Sequence, residues 1–161
     1  MNKIFLLLLL VFQLGTQAQQ QVPRWRLADL QRVVQASKGP VVLNFWATFC
    51  KPCLEEMPLF TQQIKNGAAD SVQVYLVSLD LPEMYGDRLL KVARRFSIPE
   101  RNIVYLDETN ADIFCPVVDK RWTGGIPATL FLNNSTGYRF FTESEISKTT
   151  LSAQWRAITG K

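Results

Sequence analysis

The stretch Val41-Val42-Leu43-Asn44-Phe45-Trp46-Ala47-Thr48-Phe49-Cys50-Lys51-Pro52-Cys53-Leu54-Glu55-Glu56-Met57-Pro58 decides how the rest of the chain reads. Val41 to Ala47 is an apolar, β-branched and aromatic run of buried-strand length. Beyond it the spacing becomes helical: Cys53, Met57, Phe60 and Ile64 recur on one face of a helix from about Pro52 to Lys65. Pro58 inside that helix should kink it, and Asn66-Gly67 ends it. Cys50 therefore falls at a helix N-terminus, where unpaired N–H groups and the macrodipole favour an anion. The thiolate is the nucleophile of disulfide exchange, so this placement activates it. Pro52 suits the first helical turn. Two intervening residues bring the sulfurs of Cys50 and Cys53 within bonding reach, with Cys53 turned inward.

Working outward, strand and helix signals alternate. Gln19 to Pro23 is a polar linker, and Trp25 to Leu27 reads as a short strand. Leu27, Leu30, Val33 and Val34 follow at helical spacing until Lys38-Gly39-Pro40. Downstream, Val72 to Asp80 reads as a second central strand, and Leu89, Val92, Ala93 and Phe96 mark an amphipathic helix. Ile103 to Leu106 is a short strand, and Ala111 to Lys120 a short helix interrupted by Pro116. Ala128 to Leu132 and Tyr138 to Phe141 form a hairpin, and Leu151, Trp155 and Ile158 stripe a last helix. The pattern predicts an α/β protein with a central mixed sheet and helices on both faces.

Composition narrows the chemistry. The chain has 161 residues, 47% apolar and 20% charged, the size and balance of one globular domain. It contains no histidine, which excludes Ser-His-Asp hydrolysis, Cys-His proteolysis and any imidazole-ligated metal. Beyond Cys50 and Cys53 only Cys115 remains, too few ligands for a thiolate metal site. A purely structural disulfide closing so short a loop would stabilise little. A redox-active pair is what is left. The formal charge is +4, with 18 Lys and Arg against 14 Asp and Glu. The basic residues are scattered, so a solvated surface is expected and nucleic acid is not.

Met1 to Ala18 reads as an export signal rather than as fold. Lys3 supplies the positive end, Ile4 to Phe12 the apolar run, and Thr16-Gln17-Ala18 the small residues before a cut. The expected division is a secretory signal over residues 1–18 and one domain over 19–161, exported to the periplasm. An uncleaved N-terminal anchor is the alternative. Export implies an oxidising or redox-managed compartment.

The string VVLNFWATFCKPCLEEMP resembles the active-site segment of the thioredoxin superfamily, and most of all its exported TlpA/ResA-like branch of thiol-disulfide oxidoreductases. Gly125-Ile126-Pro127-Ala128-Thr129 resembles that family's cis-proline loop. The resemblance implies a thioredoxin fold with an added helix and strand, Leu81 to Asp107, ahead of that loop. It implies that Cys50 is the exposed nucleophile, Cys53 the resolving cysteine, and Glu56 a proton carrier that tunes the pair. Asn44 stands where cytosolic thioredoxins keep a buried acid. Pro127 matches the cis-proline, with Ile126 offering its backbone to an extended substrate. Phe49, Lys51 and Pro52 complete the expected substrate contacts. Phe49 departs from the more usual Trp and Lys51 from the more usual Gly or Glu. Trp46 is expected in the core and Glu55 on the surface; Cys115, between Phe114 and Pro116, is expected as a partly buried small hydrophobe, with a free redox thiol and an intermolecular disulfide as alternatives.

The implied function is reduction of protein disulfides without metal or organic cofactor, by a protein expected to be a monomer. The resemblance implies a membrane electron donor and thiol- or disulfide-bearing partners, apocytochrome c among them. Two rivals stand beside it. A thiol peroxidase on the same fold usually carries Thr or Ser three residues before its cysteine, where this chain has Ala47. A non-catalytic binding module or copper carrier would generally add a histidine.

Overall fold

The computed structural model describes residues 22–66 and 71–160. The expected export signal over residues 1–18 lies outside them. In chain order the elements are β1 (Arg24–Trp25), α1 (Leu27–Ala36), β2 (Pro40–Trp46), α2 (Lys51–Lys65) and β3 (Gln73–Ser78). Then come α3 (Asp87–Phe96), β4 (Ile103–Leu106), α4 (Ala111–Val118), β5 (Ala128–Asn133), β6 (Tyr138–Thr142) and α5 (Lys148–Thr159). The strands form one sheet in the order β1-β4-β3-β2-β5-β6. It is mixed: β2 runs parallel to β3 and antiparallel to β5.

The strand period of two sends alternate side chains of β2 to opposite faces. Val41, Leu43 and Phe45 meet Leu30 and Val34 of α1 and Phe114 and Val118 of α4. Val42 and Trp46 meet Met57 and Phe60 of α2, Leu89 of α3 and Trp155 of α5. Among the described residues α2, α3 and α5 thus cover one face and α1 and α4 the other. The stripe Cys53, Met57, Phe60 and Ile64 is buried as its spacing predicts, and α2 runs through Pro58 to Lys65. Among the described residues no helix is long and apolar enough to cross a membrane.

Several boundaries differ from the sequence reading by one or two residues. The first strand is Arg24–Trp25, and Leu27 already belongs to α1. The Asp29 carboxylate accepts from the Arg26 N–H at 2.9 Å and starts the helix there. α4 ends at Val118, short of Lys120, where Arg121 and Asp119 pair at 2.9 Å in the following turn. In the segment Leu81 to Asp107, β4 enters the sheet between β1 and β3 while α3 packs on the face that carries α2.

Candidate active site

The site is built at the C-terminal end of β2. Ala47, Thr48 and Phe49 carry the chain from β2 to α2, and Cys50 is the N-cap residue of that helix. Its Sγ accepts the Cys53 N–H at 3.3 Å, satisfying a donor that a helix start otherwise leaves open. Cys50 and Cys53 are joined in a disulfide. The sequence reading expected an exposed Cys50; it is 8% exposed, because the loop ahead of β5 leans over it, and Cys53 is fully buried. The Ile126 carbonyl oxygen lies 3.8 Å from Cys50 Sγ, close enough to accept from the thiol once the pair is reduced. The Ile126–Pro127 peptide is cis. Phe49 is 62% exposed beside the disulfide and Pro52 lies on the surface, both open to a partner.

Lys51 reaches solvent between the cysteines. Its Nζ stands 3.7 Å from Glu55 Oε1, one turn along the exposed side of α2. Glu55 is therefore a surface residue, as read, and partly neutralises the cation.

Glu56, one turn beyond Cys53, points the other way and is 1% exposed. Its Oε1 accepts from the Asn44 amide at 2.7 Å and its Oε2 from the Ile146 N–H at 2.7 Å. Asn44 also donates to Thr129 Oγ1 at 3.0 Å, across the β2–β5 pair in which the two residues face each other. Burial pushes the Glu56 carboxyl up to about 7, against the two hydrogen bonds that favour its charged form. It can hold or release a proton near neutrality, one turn along α2 from Cys53.

Two carboxyl residues near the site were not singled out from the sequence. Asp80, just past β3, accepts from the Thr48 N–H at 3.0 Å, from the Thr48 hydroxyl at 2.6 Å and from Ser78 Oγ at 2.7 Å. It holds the loop that delivers Cys50. An acid ending a parallel strand next to the dithiol strand was the available signal, since sites in such sheets gather at carboxyl ends of strands. Glu143, just past β6, accepts from Thr123 and Gly125 of the loop that carries Ile126. Nothing local in its surroundings announces that. Trp46 is core, fully buried, and so is Cys115, whose thiol burial pushes up to about 11. Among the described residues no group of three or more acidic or thiol side chains could hold a metal.

A six-stranded mixed sheet with a Cys-x-x-Cys disulfide at the helix after its central strand defines a thioredoxin-fold protein. The chain belongs to the AhpC/TSA family, whose model matches residues 14–134. It is 32% identical over 104 residues to the thioredoxin-like protein YneN of Bacillus subtilis, covering 62% of this chain and 61% of that one. It is 38% identical over 65 residues to the thiol-disulfide oxidoreductase ResA of Oceanobacillus iheyensis, covering 40% of this chain and 31% of that one. The matches thus span about three-fifths of the first relative and about a third of the second. A solved thioredoxin-related protein from Neisseria meningitidis serogroup B has the same fold, with a TM-score of 0.64 at 23% identity. That superposition covers 79% of this chain and 90% of the other.

Proposed function

We propose that the chain is an exported thiol-disulfide oxidoreductase that reduces disulfides in other proteins. The observation that carries this reading is Cys50 capping α2 with its sulfur beside the Ile126 carbonyl, while Cys53 lies buried one turn behind it. The reduced Cys50 thiolate attacks one sulfur of a substrate disulfide, and the other leaves as a thiolate. Deprotonated Cys53 then attacks Cys50 Sγ, closes the Cys50–Cys53 disulfide and expels the second substrate thiolate. Two electrons pass to the substrate, and each of its sulfurs takes up a proton. Glu56 takes the proton that Cys53 gives up, Ile126 and Pro127 seat the substrate segment, and Phe49, Lys51 and Pro52 meet its flanks.

The oxidised pair is returned to the dithiol by an electron donor in the membrane. Apocytochrome c, the wider pool of exported disulfide proteins and another redox protein all present the chemistry this site accepts. Export rests on the signal-like pattern of Met1 to Ala18 and is tested by fractionating cells that express the full chain. The peroxidase alternative gains no support, since Ala47 lacks a hydroxyl and that of Thr48 is given to Asp80.

The test is substrate trapping. Cys53→Ala should accumulate mixed disulfides through Cys50, and insulin reduction with dithiothreitol should stop in Cys50→Ser. Partners trapped by Cys50→Ala instead would reverse the two roles, and a wild-type protein inert towards insulin and other protein disulfides would overturn the proposal.

A further inference from the structure

We propose that Glu143 is a positioning residue for the substrate-docking loop Thr123–Pro127, holding Gly125 so that the Ile126 carbonyl stays against Cys50. This rests on the reading above, in which an extended substrate pairs with the Ile126 backbone. The loop contains Gly124 and Gly125 in succession, and glycine backbone left to itself samples many conformations. Something outside the loop must therefore select one.

Glu143 does so with both carboxylate oxygens. Oε2 accepts the Thr123 N–H at 2.9 Å, and Oε1 accepts the Gly125 N–H at 2.6 Å and the Thr123 hydroxyl at 2.5 Å. Such charge-assisted bonds are about twice as strong as neutral ones. The Gly125 carbonyl is tied in turn, accepting the Trp122 indole N–H at 2.8 Å. The residue immediately before Ile126 is thus pinned at both its donor and its acceptor. Gly125 is also the residue this arrangement demands, because a Cβ there would stand 2.6 Å from Glu143 Oε1. The carboxylate fills the space a side chain would need. Glu143 lies outside β6, and these three bonds run to the loop rather than to the neighbouring strand. Burial raises its proton affinity, but the hydrogen bonds from Thr123 and Gly125 outweigh that and hold it below the usual range, so the anchor stays charged at neutral pH.

The test uses Glu143→Gln, which keeps the size and turns one acceptor oxygen into a donor that faces an N–H. With insulin as substrate, KM should rise about five- to tenfold while kcat changes less than twofold, as expected when ground-state and transition-state binding are lost together. A kcat loss with KM unchanged, or wild-type values for both, would overturn the proposal. Gly125→Ala should raise KM similarly, and the double variant should be no worse than the worse single one, because both act through one contact. A readout independent of turnover is the Gly125 amide proton. In the wild type its chemical shift should follow the Glu143 titration, with a midpoint below the ordinary glutamate range, and in Glu143→Gln that titration should vanish. A flat trace in the wild type overturns the anchoring role whatever the substrate. Failure of the wild type to reduce insulin, with the titration present, counts against the oxidoreductase reading and not against the anchor.

Discussion

The Asn44 amide donates to Glu56 Oε1 at 2.7 Å inside the core, and Asn44 Oδ1 has no partner of its own. That unpartnered oxygen gives the pair a second arrangement. When Glu56 is ionised the Asn44 NH2 faces it. When Glu56 is protonated, turning the Asn44 amide over presents Oδ1 to the new O–H, and the Thr129 hydroxyl can donate to the same oxygen. That arrangement puts the Asn44 NH2 where Oδ1 now finds no partner, so the amide is better matched to the ionised carboxyl.

This sets a pH dependence. Burial first, then the like charge of Glu145, lift Glu56 from 4.5 to about 7 in the folded protein. The folded state then holds a proton that the unfolded chain releases. The associated stability is complete below about pH 4.5, falls as pH rises towards 7, and is gone above it. The shift corresponds to about 3 kcal/mol. Relative to wild type, Glu56→Gln should therefore be about 3 kcal/mol more stable at pH 8 than at pH 4.5, read by urea unfolding of the oxidised protein. The wild-type insulin-reduction rate should break near neutrality, and Glu56→Gln should lose that break. Parallel stability profiles and unchanged rates from pH 6 to 9 would take Glu56 out of the proton path.

Lys51 should move the reduction potential only slightly. A cation beside Cys50 favours the thiolate and so the reduced form, but this one is shared with Glu55 and stands in solvent. Exposed pairs of this kind are worth about half a kcal/mol, and a two-electron couple converts that to about 10 mV. Lys51→Gly should shift the potential by about that much, in the negative direction, and less at high salt. The wild-type potential should lie below about −200 mV, where reductases work, and equilibration with glutathione buffers measures both. A value near −120 mV would make the protein an oxidant.

Asp80 should be a stability residue with a local signature. Asp80→Asn replaces one acceptor oxygen in a cluster that binds Thr48 and Ser78, and should destabilise the fold by about 2 kcal/mol. The Thr48 amide should exchange with solvent faster than the amides of β3. Unchanged protection at Thr48 would show that the loop is held some other way.

Cys115 should be silent. It is buried and its thiol is pushed up to about 11, so at pH 8 about one molecule in a thousand carries the thiolate. Ellman's reagent should find almost no thiol in the native oxidised protein and one per chain after unfolding. A dimer on a non-reducing gel that disappears in Cys115→Ser would instead reveal an intermolecular bond.

What the sequence showed and what it hid follows from the range of the interactions. β2, α2 and β4 were legible because period and composition are local properties, and Ile103–Leu106 was placed without error. The dithiol and its helix were legible for the same reason. The first strand was read on to Leu27, two residues past its end, because Asp29 caps α1 from inside the helix and draws Leu27 into it. Glu56 could be singled out only through a family pattern, since its depth comes from packing against Ile146, ninety positions away. Asp80 and Glu143 escaped altogether: each is one of 14 acidic residues in the chain, and only the fold brings them to Thr48 and Gly125.

The place of β2 has a consequence for durability. It is paired on both sides and covered on both faces, so its amides should exchange only when the whole molecule opens. Two-residue β1 and the outermost β6 can fray and re-form without disturbing it. The disulfide is thus mounted at the end of the strand that should open last, away from the sheet's margins.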